Sequence, residues 1–130
     1  MPDETKILIY VVDDDASVRK ALAMLFRSAD MEVKTFEAAE DLLKHKLREE
    51  NACLITDIKM KGLSGLELHQ QLSERGTKIP VIFLTAFDTN ESRQRAKQAG
   101  AVGYFRKPVD DQALLDTIKW ALSSYSSPTK

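Results

Sequence analysis

Four short apolar runs punctuate the chain, and each ends abruptly on polar chemistry. Ile7 to Val12 stops on Asp13, Asp14 and Asp15. Cys53 to Asp57 ends on the carboxylate of Asp57, Val81 to Leu84 stops on Thr85, and Val102 to Arg106 stops on Lys107. A half-exposed strand would alternate apolar and polar residues. Unbroken apolar runs of this length read as parallel strands buried on both faces. Glu32 to Phe36 reads as a further strand, second in chain order. Between the strands the apolar period lengthens to that of a helix: Val18, Ala21, Leu22, Leu25 and Phe26 form one stripe, with Asp14 or Asp15 placed to cap it. Leu42, Leu43 and Leu47 predict a second helix reaching the polar break at Glu49, Glu50 and Asn51. Ser64 with Glu67 three residues on is the reciprocal cap of a third, whose buried side is Leu68 and Leu72 and whose end is Gly76. Pro80 opens the fourth strand. The fourth helix, from about Thr89 to Ala99, has only Ala96 and Ala99 as apolar residues, so it is predicted to bury little. After Gly100, the fifth strand and Pro108, a last helix carries Leu114, Leu115, Ile118 and Leu122 on its inner side.

Strict alternation of strand and helix implies an α/β fold, a doubly wound five-stranded parallel sheet with right-handed crossovers. Open sheets of this kind bind ligands beyond the strand C-termini, where the strand order reverses. In the flavodoxin-like order 2-1-3-4-5, that place lies between the first and third strands. Asp13 and Asp14 would then stand beside Asp57, with Thr85 one strand away. Lys107 would begin two strands away, roughly 10 Å in backbone at about 4.8 Å per strand, a gap its side chain can largely span.

Composition narrows the class. At 130 residues the chain is long enough for one domain, placed at 6–123, with a tail at 1–5 and a polar tail or linker start at 124–130. A net charge of -1 leaves no electrostatic footprint for nucleic acid. No apolar run approaches the ~20 residues of a membrane span, and the N-terminus does not read as a secretory signal. The single cysteine, Cys53, lies in an apolar strand and has no intrachain partner, which suits a reducing cytoplasm. His45 and His69 have no metal-ligand spacing and read as surface residues on helices; Trp120 reads as helix packing or an exposed contact.

Taken one at a time, the polar residues have plain structural readings: acidic triplets cap helices, and Asp57, Thr85 and Lys107 could simply end strands. Taken together, they carry a resemblance. Val12-Asp13-Asp14-Asp15, Thr56-Asp57-Ile58-Lys59-Met60, Gly65 eight residues past Asp57, Thr85-Ala86 and Lys107-Pro108 resemble, in order and at the right strand ends, the receiver domain of bacterial two-component response regulators, the CheY-like family. The resemblance spans residues 6 to 123. It implies that Asp57 accepts a phosphoryl group, that Asp13, Asp14, Asp57 and the Lys59 carbonyl ligate Mg²⁺ or Mn²⁺, and that Thr85 and Lys107 contact the phosphoryl oxygens. It further implies a switch in which Thr85 moves and Tyr104 turns inward, altering the face of helix four, strand five and helix five. Partners implied are a sensor histidine kinase or phosphotransfer domain, and a phosphorylation-dependent second copy of the chain. Such a domain is a phosphoacceptor whose catalysis is confined to its own phosphorylation and dephosphorylation, not an enzyme.

Ser17-Val18-Arg19-Lys20-Ala21-Leu22 and Gly62-Leu63-Ser64-Gly65-Leu66-Glu67 resemble the FixJ and LuxR type of regulator, whose receiver precedes a helix-turn-helix DNA-binding domain. A stand-alone relay receiver is the alternative. A second alternative, a haloacid-dehalogenase-like phosphatase, would use Asp13 as nucleophile, with Asp15, Thr85, Lys107 and the Asp110-Asp111 pair; it leaves Asp57 without a role. Two positions depart from the receiver pattern or bear on lifetime. Lys61 stands where many relatives have proline, and Lys59 and Phe87 flank the path of hydrolytic water, so Phe87 is expected to prolong the phosphoryl state.

Overall fold

The computed structural model describes residues 6–125, with side chains through Ser124. Most of the expected tails, 1–5 and 126–130, lie outside the described residues. Five strands, β1 (Leu8–Val12), β2 (Glu32–Phe36), β3 (Ala52–Asp57), β4 (Val81–Thr85) and β5 (Gly103–Arg106), form one parallel sheet in the order β2-β1-β3-β4-β5. They alternate with α1 (Ala16–Ser28), α2 (Ala39–Leu43), α3 (Gly65–Glu74), α4 (Asn90–Gln98) and α5 (Asp111–Tyr125). Among the described residues no helix is long and apolar enough to cross a membrane.

The unbroken apolar strands are explained by a core on each face. Successive residues of a strand point to opposite sides. Ile9, Val11, Ile55, Ile82 and Leu84 accordingly pack beneath Phe26 of α1 and Leu114 and Ile118 of α5. Tyr10, Val12, Leu54 and Phe83 pack on the other face against Leu42 of α2, Leu68 and Leu72 of α3 and Ala96 of α4. Every residue of β1, β3 and β4 is buried, whereas the edge strand β2 is not. Each fully buried Leu, Ile or Phe contributes about 1.5–3 kcal/mol relative to exposure.

Helix starts follow local chemistry. Asp15 caps α1, accepting from the Ser17 amide, and Thr89 caps α4 by accepting from that of Ser92. Ser64 and Glu67 form the full reciprocal box at the head of α3. Gly65 in that box is a packing requirement: a Cβ there would lie 2.1 Å from the Asp57 carbonyl oxygen, because the Gly65 amide donates to Ile58 O at 2.9 Å.

Several elements differ from the sequence pattern. α2 stops at Leu43 instead of running to the polar break. Leu47 still reaches the core, because Arg48 ties the following segment down: its side chain donates to the carbonyls of Lys6 and Asn51, and its amide donates to the Tyr10 hydroxyl. A helical period and a tethered loop thus bury the same residue. β5 begins at Gly103 and not Val102. In α1 it is Ala23 that is buried, while Ala21 is exposed. His45 falls beyond α2, against the ring of Phe36, and His69 is half-buried on α3 with its ring 6.2 Å from that of Phe83. Desolvation lowers the pKa of His69. Trp120 is 59% exposed.

Candidate functional site

Strand register assembles the polar ends. Val12 pairs with Thr56, so Asp13 and Asp57 are the next residues out on neighbouring strands. Thr85 pairs with Arg106, and the Lys107 amide donates to Thr85 O at 2.8 Å. The Lys107 side chain then reaches from beyond β5, past the neighbouring β4, to the residues that end β1 and β3. Its Nζ lies 2.9 Å from Asp57 Oδ2 and 2.7 Å from Asp13 Oδ2. One ammonium is therefore shared by two buried carboxylates, Asp13 at 2% and Asp57 at 8% exposure.

The electrostatics follow from that sharing. Burial is the largest influence on Asp57 and pushes its carboxyl above the ordinary value, assisted by the charge of Asp13; the Lys107 ammonium and the Lys59 amide oppose the shift incompletely. An ion pair alone would lower its acid and raise its base. Asp57 departs from that rule because half an ammonium does not offset its desolvation. For Lys107, burial alone would lower the pKa, but hydrogen bonds to Asp13 and Asp57 and their charges carry it above its ordinary value, so it remains a cation.

Around this centre the backbone is tightly held. The Asp15 amide donates to Asp13 Oδ1 at 2.9 Å, and Arg19 of α1 reaches back to the Asp13 carbonyl at 2.7 Å. The Lys59 amide donates to Asp57 Oδ1 at 3.3 Å. Glu40 of α2 braces the loop after β3 by accepting from the Leu63 amide at 3.0 Å, beside Gly62 with φ +78°. Thr85 is fully buried, and its Oγ1 accepts from the Phe87 amide at 3.0 Å. Phe87 is 61% exposed, with the Lys59 ammonium 5.3 Å from its ring centroid. Tyr104 packs partly into the core while its hydroxyl donates to Asp88 Oδ1 at 3.0 Å.

The expected metal ligands are oxygen donors, the kind a hard cation such as Mg²⁺ takes. Asp13 and Asp57 stand together, but Asp14 is exposed and its Oδ2 accepts from the Lys61 amide at 3.3 Å. Among the described residues no three such side chains converge as a metal-holding cluster. Lys107 contacts two of the three carboxylates and offsets part of their charge, and the third accepts from the loop after β3. The donor set fits a hard cation in its chemistry, and Asp14 is held at the loop that also carries Lys59. Of the residues of the phosphatase alternative, Lys107 contacts Asp13, but Asp110 is engaged as the cap of α5, its Oδ2 accepting from the Ala113 amide at 2.8 Å.

Residues 9–119 match the family model of the response regulator receiver domain. The chain belongs to that family. Among its relatives, the transcriptional regulatory protein TdiR of Thauera aromatica is 42% identical over 115 residues, covering 88% of this chain and 51% of TdiR. Among solved structures, the response regulator StyR superposes with a TM-score of 0.85 at 43% identity, over 93% of this chain and 61% of StyR. The structure entitled FixJ-N gives 0.83 at 31% identity, over 92% of this chain and 95% of that one. The chain spans about half the length of curated relatives such as TdiR. It is thus a receiver of a two-component response regulator, a signalling domain and not a classical enzyme; such receivers interact with histidine kinases and generally bind Mg²⁺ at their acidic pocket.

Arg19, Glu40 and Asp88 were not singled out by the sequence pattern. Arg19 and Glu40 act on residues 6 and 23 positions away, and only the fold brings them there.

Proposed function

We propose that Asp57 is the phosphoryl acceptor. The observation that carries this reading is the Lys107 ammonium, held against both Asp57 and Asp13 at the edge where the strands end. A carboxylate repels an approaching phosphoryl group, and transfer of this kind is catalysed by positioning and charge neutralisation. A carboxylate oxygen of Asp57 attacks phosphorus, the bond from phosphorus to a donor histidine nitrogen breaks, and that nitrogen keeps the electron pair. Lys107 exchanges its contact with the Asp57 oxygen for one with a phosphoryl oxygen, and the Thr85 hydroxyl donates to another. Mg²⁺ or Mn²⁺, held by Asp13, Asp14, Asp57 and the Lys59 carbonyl, supplies further neutralisation of negative charge when bound.

The donor is a sensor histidine kinase or phosphotransfer domain. The output is a change on the α4, β5 and α5 face, transmitted through Thr85 and Tyr104, which promotes pairing with a second copy of the chain. TdiR is named a transcriptional regulatory protein, and the span of about half its length leaves room there for an output domain. We place the chain in the cytoplasm as the receiver half of a transcription regulator. Phe87, with Lys59 over its ring, screens the acceptor from water and lengthens the life of the phosphoryl group.

Intact-mass spectrometry with acetyl phosphate and Mg²⁺ tests the acceptor. The wild type is expected to gain one phosphoryl group, and Asp57→Asn none. An adduct that survives Asp57→Asn and vanishes with Asp13→Asn would overturn the assignment.

A further inference from the structure

The β4–α4 loop ties the acceptor site to Tyr104 through groups that the receiver chemistry does not itself use. Asp88 takes two donors: the Tyr104 hydroxyl at 3.0 Å and the Arg93 guanidinium, with which it forms a close ion pair. Arg93 also stands over the Tyr104 ring, 5.6 Å from its centroid. Three side chains from a loop, a helix and a strand therefore close one ring of contacts, in which Asp88 neutralises the cation that covers the phenol. The Asp88 side chain is only 15% exposed. Its carboxyl lies below the ordinary value: burial would raise it, but hydrogen bonds from Arg93 and Tyr104 and the charges of Arg93 and Arg106 prevail.

The same loop is fastened at its other end to Thr85, whose Oγ1 accepts from the Phe87 amide. Phe87 is the residue before Asp88, so a displacement of the Thr85 hydroxyl either drags the Phe87 peptide or breaks its hydrogen bond. Asp88 and its two partners feel either event. α4 is suited to yield, since Ala96 is its one buried residue and it leans on the sheet through little else.

We propose that Asp88 and Arg93 form a latch that holds Tyr104 in its resting position, and that they set how readily the receiver switches. The inference rests on Asp57 being the acceptor and adds the element that opposes it. The charge-assisted hydrogen bond from Tyr104 to Asp88 and the cation–π contact with Arg93 must be given up before the Tyr104 ring can turn inward, and the Asp88–Arg93 ion pair holds both partners in place. The latch lowers the resting population of the switched state. That population limits phosphoryl uptake if the switched state is the better acceptor, as linkage between the two events requires.

The test uses the full chain and three variants, Asp88→Ala, Tyr104→Phe and the double variant, since Thr89 and not Asp88 caps α4 and the fold is expected to survive. Phosphoryl uptake from acetyl phosphate with Mg²⁺ is followed by intact mass, and amide hydrogen exchange of residues 86–98 is measured without phosphoryl donor. Asp88→Ala is expected to speed both by about tenfold, the scale of one charge-assisted bond. In the Tyr104→Phe background the same substitution is expected to have a smaller further effect, because the Tyr104–Asp88 hydrogen bond is already absent and only the Asp88–Arg93 ion pair is left to lose. Local loosening alone would speed exchange without speeding uptake. Uptake at the wild-type rate in Asp88→Ala, or full additivity of the two substitutions, would overturn the latch while leaving the acceptor intact. Absence of any adduct on the wild type would overturn the acceptor reading, and the latch's control of uptake with it.

Discussion

Lys107 shows how one side chain joins distant parts of the chain. It lies 94 residues from Asp13 and 50 from Asp57, yet contacts both. Its importance was legible only in company, because Asp13, Asp14, Asp57 and Thr85 end the other strands of the same sheet edge. Its sharing between two carboxylates was not, because that depends on where three strand ends meet. Asp88 and Tyr104 make the same point for titration. Desolvation is the first cause that holds the Tyr104 phenol above its ordinary value, followed by the hydrogen bond to and charge of Asp88. A raised pKa means the folded state favours the protonated phenol, so its contribution is complete below the ordinary tyrosine value and is lost as pH rises through the higher folded one. The depressed Asp88 carboxyl contributes above the ordinary aspartate value and is lost as pH falls through its lower folded one. The latch is therefore expected to be insensitive to pH between about 5 and 9. NMR of the Tyr104 ring checks this: its resonances should hold still across that range and move only outside it, and a midpoint near neutrality would contradict the pairing.

At the scale of elements, the strands and caps were the most legible features and the second helix the least. The Ser64 and Glu67 box lies within four residues, so its two hydrogen bonds follow from local geometry alone. The end of α2 does not, because Leu47 could reach the core by continuing a helix or by a loop anchored elsewhere. Arg48 decides for the loop through partners as far away as Lys6. Gly65 joins the two kinds of information. The helix start was readable, but the need for glycine comes from the Asp57 carbonyl lying where a side chain would be. Gly65→Ala is expected to destabilise the domain by roughly 1–3 kcal/mol and to slow phosphoryl uptake, since the backbone that must yield carries Asp57. Chemical denaturation with the uptake assay checks both, and a fully stable variant with wild-type uptake would refute the close packing.

For the molecule as a whole, the sheet and its two cores control what is reachable. Cys53 lies near the start of β3, the middle strand of the sheet, with no exposure, and burial pushes its thiol up to about 12. Alkylation or disulfide exchange near pH 8 is expected to run at least about a thousandfold slower than at a free cysteine, and to reach the free rate only in denaturant. Rapid labelling of the folded chain would show that the core opens locally at β3. Composition and pattern alone determined the alternation of strand and helix, the parallel sheet, the Ser64 and Glu67 cap and the set of residues ending the strands, because burial and local capping are written in sequence neighbours. The tertiary structure alone decided that Lys107 is shared by Asp13 and Asp57, that Asp14 accepts from the Lys61 amide, that Arg48 replaces the end of a helix, and that Asp88 and Arg93 hold Tyr104. Each of these is a contact between residues that only packing brings within reach, and its energy depends on the distance and desolvation that packing sets.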